Sequence, residues 1–189
     1  MSYHWGTIQN INDMKKALLL KSMSSFLLGL LISFAGFAQN APASPPAKAN
    51  GKIGEANVTI DYSSPSVKGR KIFGEKEPYG KVWRAGANKA TILEVDRDVT
   101  VEGKKLPAGK YSLFLTPNEN EWTVILNSET GQWGVKQGGV ANRDPAKDVL
   151  SVNVKPVKSA SLTERLTYDI TGDGIVMRWE NVELPVAIK

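Results

Sequence analysis

Beyond residue 55 the apolar residues of this chain recur at every second position in short runs. Nowhere in that stretch do they keep the three-and-four spacing of an amphipathic helix. ANVTIDYSSP sets Val58, Ile60 and Tyr62 against polar neighbours until Pro65 ends the run. TILEV (91–95) resumes the pattern, and DVTVEGKKL alternates Val99 and Val101 before a Glu-Gly-Lys turn. LPAGKYSLFLTP carries Tyr111, Leu113 and Leu115, with NENEWTVILN as its hairpin partner. The pattern returns in VLSVNVKPV (149–157), ERLTYDI (164–170), GIVMRWEN (174–181) and VELPVAIK (182–189). Short alternating runs separated by turn signals predict an all-β fold, a single antiparallel β-sandwich or partly closed barrel of about eight to nine strands. No internal repeat of fixed period interrupts them.

What precedes these runs is of another kind. Lys15, Lys16 and Lys21 come before an apolar run from Phe26 to Ala35, and Gly36 and Ala38 offer a small-residue cleavage site before Gln39. This is the layout of a signal peptide over 14–38, too short to span a bilayer, with Met14 as the natural start and 1–13 an upstream extension. Translation from Met1 is the alternative. Residues 39–52 hold three prolines and small polar residues and read as a short disordered linker, leaving 53–189 as one β-rich domain. The mature chain is expected in the periplasm or outside the cell, without a membrane span.

The residues that are missing narrow the chemistry. The chain has no cysteine, so lipid attachment and disulfides are excluded, and its one histidine, His4, precedes the leader. A Ser/His/Asp triad, a cysteine nucleophile, a histidine-containing zinc site and histidine-held haem are therefore closed to the mature protein. No cofactor and no metal site are expected. Removing residues 1–38 leaves 21 basic against 18 acidic side chains with no basic run, so nucleic acid is not an expected partner.

Two segments break the alternation. Gly69 to Asn88, GRKIFGEKEPYGKVWRAGAN, packs four glycines, three aromatics and two arginines into an ordered loop, and Ser128 to Asp148 forms a second, glycine-rich loop. GRKIFGEKEPYGKVWRAGAN, VTVEGKKLPAGKYSLFLTP, EWTVILN and QWG, and more loosely ERLTYDI and MRWENVELPV, resemble a family of exported bacterial proteins known as domain of unknown function 2911. The resemblance implies an exported β-rich domain and carries no catalytic residue with it. Two positions depart from the pattern: Lys89 follows GAN in place of an acidic residue, and VKQGG follows QWG in place of an alanine and aromatics.

Within the first loop Arg70, Tyr79, Trp83, Arg84 and Asn88 are the candidate ligand-binding residues. Guanidinium forks recognise carboxylates or phosphates, and an indole or phenol offers a face to a sugar ring. The competing reading has both arginines holding loop carbonyls and carboxylates such as Glu75 or Glu77, while Ile72, Phe73 and Trp83 plug the end of the sandwich. DITGDGIVMRWE (169–180) matches part of a calcium-loop template, but alternation on both sides favours a plain hairpin turn. Glu75, Glu77, Glu94, Asp96 and Asp98 could supply a hydrolytic acid pair if two converged on one cleft. Trp122 and Trp179 belong to the core or a sheet face, and Trp133 could join a carbohydrate platform. The sequence thus favours an exported, non-enzymatic binding or structural module of the cell envelope, with a small ligand, glycan or envelope protein as partner. The alternative is a carboxylate-based hydrolase acting on glycans or another envelope polymer.

Overall fold

The computed structural model describes residues 42–189 together with Met14. The leader and the upstream extension otherwise lie outside the described residues. Alternation of branched and aromatic residues produces ten strands: β1 (Pro46–Ile53), β2 (Ala56–Ser63), β3 (Thr91–Val95), β4 (Val99–Val101), β5 (Lys104–Leu106), β6 (Gly109–Thr116), β7 (Trp122–Asn127), β8 (Asp148–Val154), β9 (Val157–Thr171) and β10 (Gly174–Ala187). A 3-10 turn at Pro145–Lys147 precedes β8. Among the described residues no helix is long and apolar enough to cross a membrane.

Six strands make one antiparallel sheet in the order β1-β2-β3-β6-β7-β8. Its register places Ile60 opposite Leu93, Leu113 opposite Leu126 and Val124 opposite Val152, so a continuous apolar face forms from one residue in two. The β9–β10 hairpin supplies the second layer. Leu166, Tyr168, Met177, Trp179, Leu184 and Val186 join the same buried cluster as the sheet face. The short β4–β5 hairpin extends this layer, because the Thr100 N–H donates to Lys189 O at 2.7 Å and the Glu102 N–H to Ala187 O at 2.9 Å. The sheets stack as an open sandwich and do not close into a barrel.

Two elements differ from the sequence expectation. Residues 46–52, assigned to the linker by composition, belong to β1, which pairs with the whole of β2 from Pro46↔Ser63 to Ile53↔Ala56. Its inward positions are Ala47, Ala49 and Gly51, small because β9 lies close above: a Cβ at Gly51 would stand 2.7 Å from Ile170 Cγ2. The runs 174–181 and 182–189 form one strand, β10, and are not separate. A bulge between Arg178 and Val182 breaks its register, with Glu180 at φ 56°. The bulge turns the Glu180 carboxylate out to accept the Ile72 N–H at 3.1 Å, tying β10 to the first long loop. The hairpin turn between Thr171 and Gly174 is as expected.

Candidate functional site

The first loop is ordered by what its aromatics bury. Phe73, Trp83, Trp122 and Trp179 form one cluster, with Trp83 stacked on Trp179 at 5.5 Å and Phe73 edge-on to Trp122 at 4.6 Å. Backbone bonds fix the same stretch, since Trp83 and Leu115 exchange N–H···O bonds of 2.7 and 2.9 Å. Ala85, at φ 55°, presents its carbonyl to the Tyr168 hydroxyl at 2.7 Å and to Thr91 Oγ1 at 2.9 Å.

The second loop folds back over the outer face of the large sheet and meets the first. Ala90 N–H donates to Gln132 O at 3.2 Å, Gly134 N–H to Asn88 O at 3.0 Å and Asn142 N–H to Gly134 O at 2.9 Å. Beneath this seam Ala90, Phe114 and Ile125 form a small second core, with Val82 and Ala141 packed against it. The two loops therefore behave as one cap with a groove between them. The groove encloses about 770 Å³, with an apolar wall from Val82, Val135, Val140 and Ala141. Its polar lining includes Arg84, Glu77, Lys76, Lys81 and Arg143. Arg143 is already engaged: its Nε donates to both Asp148 oxygens at 2.9 and 3.1 Å. Burial, the largest influence on Asp148, raises its pKa, but bonds from Arg143 and Asn127 prevail and hold the carboxyl below its usual range.

Arg84 is not held in this way. Its Nε is buried without any hydrogen-bond partner, and its guanidinium forms no ion pair among the described residues. Glu77 stands near it, and the two also line a smaller pocket of 230 Å³ beyond the groove. Burial pushes the Glu77 carboxyl above its ordinary value against the pull of Lys76, Arg84 and Arg70, and burial lowers the Arg84 pKa against Glu77. Both shifts disfavour the charged forms, so this pair costs more in desolvation than its attraction returns.

The sign of the Glu77 shift gives a test. The folded state holds the proton more tightly than the unfolded chain, so the stability this group contributes is full below the ordinary carboxylate pKa. It is lost as pH rises through the folded value. Glu77→Gln is expected to raise the melting temperature at neutral pH and to lose that advantage below the ordinary carboxylate range. Melting curves of the two proteins that differ equally at every pH would show the carboxyl to be unstrained.

The structure separates the sequence candidates. Arg70 donates from Nε to Val67 O at 2.9 Å and from Nη2 to Ser66 O at 2.6 Å, so it braces its own loop while lining the smaller pocket. Trp83 is 3% exposed, its indole N–H given to Gly86 O at 3.0 Å. Asn88, at φ 59°, ties the loop to Ser63 Oγ and Ser44 O. Tyr79 is exposed against Gly74 and lines neither pocket. Arg70 and Arg84 are thus brought together, and the other three are not. Trp122 and Trp179 are buried, as read from their strands, and Trp133 is exposed.

Of the five candidate acids, Glu77 alone lines the groove. Glu75 faces Lys71, Glu94 faces Lys110, Asp96 accepts from Asn57 and Asp98 accepts the Ala108 N–H. Sequence reasoning missed Val135, Val140 and Gly134, whose importance comes from a seam between segments some fifty residues apart. The glycine pair Gly138–Gly139, both at positive φ, was the one local hint of a tight return there.

Fold and site together define an open two-layer β-sandwich with a capped groove at the meeting of two long loops. Residues 44–188 match the family described as protein of unknown function (DUF2911), and the chain belongs to it. No curated protein and no solved structure matches the chain.

Proposed function

We propose that this protein is an exported, non-enzymatic binding module of the cell envelope that holds a small acidic ligand in the groove between its two long loops. The observation that carries this is Arg84, a guanidinium in the groove whose buried Nε has no partner. A buried donor left unsatisfied costs about 1–3 kcal/mol, and an acidic ligand would repay it with a charge-assisted bond. The apolar wall beside it suits a ligand with a non-polar body. Support for binding without catalysis comes from the absence of histidine and cysteine beyond residue 38 and from a groove with a single carboxylate. Export rests on the leader pattern at 14–38 and is checked by the amino terminus of protein from the periplasmic or secreted fraction, expected at Gln39.

Binding is tested by melting the protein against a panel of carboxylate and phosphorylated metabolites and glycans. A ligand at about one hundred times its Kd adds about 2.7 kcal/mol to stability. Arg84→Met is expected to melt no lower than the parent, because it keeps an apolar side chain in place of a half-buried guanidinium whose Nε has no partner, and to lose the ligand-dependent rise. A panel that shifts nothing, or an Arg84→Met protein that keeps the rise, overturns the proposal.

A further inference from the structure

We infer that the smaller pocket is an oxyanion site that takes one carboxylate or phosphate group between Arg84 and the indole N–H of Trp179. The inference deepens the proposed function and rests on it in one respect: Arg84 lines both spaces, so the acidic group of the groove ligand is the group this pocket holds.

Only two buried side-chain polar atoms among the described residues lack a hydrogen-bond partner, Arg84 Nε and Trp179 Nε1. Both belong to residues lining this one pocket. Buried polar atoms are almost always paired, so two exceptions at one place need a common cause. Both are donors, so the group that would satisfy them is an acceptor. The remaining lining gives that acceptor a charge: Lys68, Arg70, Lys76 and Arg84 surround the space against one carboxylate, Glu77. Lys68, Arg70 and Arg84 have no carboxylate within ion-pair distance among the described residues, whereas Lys76 meets Glu77 only at 3.9 Å. A volume of 230 Å³ is below the usual range for a whole metabolite, about 300–1,000 Å³, and suits one anionic group with a few waters. Trp179 is 2% exposed in a packed aromatic cluster, so its N–H is held in place before any ligand arrives.

The test follows the Trp179 indole N–H resonance, assigned with Trp179→Phe, while the purified protein is titrated with inorganic phosphate and separately with acetate. Ionic strength is held constant with sodium chloride. A saturable shift is expected, lost in Arg84→Met and weakened about two- to fivefold in Lys68→Gln, an exposed side chain without an ion pair among the described residues. Response to phosphate alone assigns a phosphate group, to acetate alone a carboxylate, and to both the shared chemistry. A resonance that stays still, or one that drifts linearly and equally with chloride, overturns the site and leaves an adventitious ion only. If Arg84→Met does not fold, Lys68→Gln decides, because unchanged affinity there also overturns it.

Val140→Asp separates this inference from the groove. It is expected to remove the melting rise given by panel ligands with a non-polar body and leave the indole titration intact. A moving indole with a silent panel sinks the groove and keeps the pocket, and a responsive panel with a still indole does the reverse.

Discussion

Trp83→Ala is expected to destabilise the protein by about 3–5 kcal/mol, the cost of truncating a large aromatic in a core that cannot collapse around the space. The indole is stacked on Trp179 at 5.5 Å with an interplanar angle of 22°, meets Phe73 edge-on at 6.0 Å and donates to Gly86 O. All three contacts go at once. Against a typical total of about 5–15 kcal/mol this loss lowers the melting temperature by about 10–20 °C and leaves the loop poorly held. Trp83→Phe keeps a ring in the cluster and is expected to lose less than half as much. Chemical denaturation of the two variants checks the ranking. A Trp83→Ala protein that melts like its parent but no longer binds would show the indole to be a ligand surface after all.

That prediction turns on a choice the sequence left open. GRKIFGEKEPYGKVWRAGAN identifies an ordered loop by composition, and composition cannot separate an aromatic that meets a ligand from one that plugs a sandwich end. Burial decides, and burial depends on Trp122 and Trp179, which come from strands β7 and β10 far along the chain. The two arginines divide in the same way. Arg70 reaches carbonyls three and four residues away, a local contact that sequence could suggest, whereas the isolation of Arg84 results from the second loop closing over it. Strands with branched residues at alternate positions were legible because one face of each is buried. β1 was not, because close approach of β9 replaces its branched residues with alanine and glycine, and the composition then resembles a linker.

The second large effect is expected at Gly134, whose place in the seam leaves no room for one added methyl group. A Cβ there would stand 2.0 Å from Arg84 Cδ, 3.0 Å from Arg84 Cβ and 2.9 Å from Asn88 O. The first neighbour is part of a flexible side chain, but Asn88 O is backbone and accepts the Gly134 N–H. Gly134→Ala must therefore move Arg84 and also open the bond that joins the two loops. Overpacking costs about 1–3 kcal/mol and a lost backbone bond about 1 kcal/mol more, which exceeds the 0.4–1 kcal/mol, roughly, that alanine gains by restricting the unfolded chain. Gly131→Ala is the matched control. Its φ of 85° makes alanine strained, yet nothing lies within 4 Å of the added carbon, so it is expected to cost about 1 kcal/mol and leave binding alone. Comparing melting temperature and phosphate titration for the two variants distinguishes general loosening from damage to the site. Only Gly134→Ala is expected to abolish the Trp179 indole response, because only there does the methyl group push on the stem of Arg84, the side chain that the pocket and the groove share.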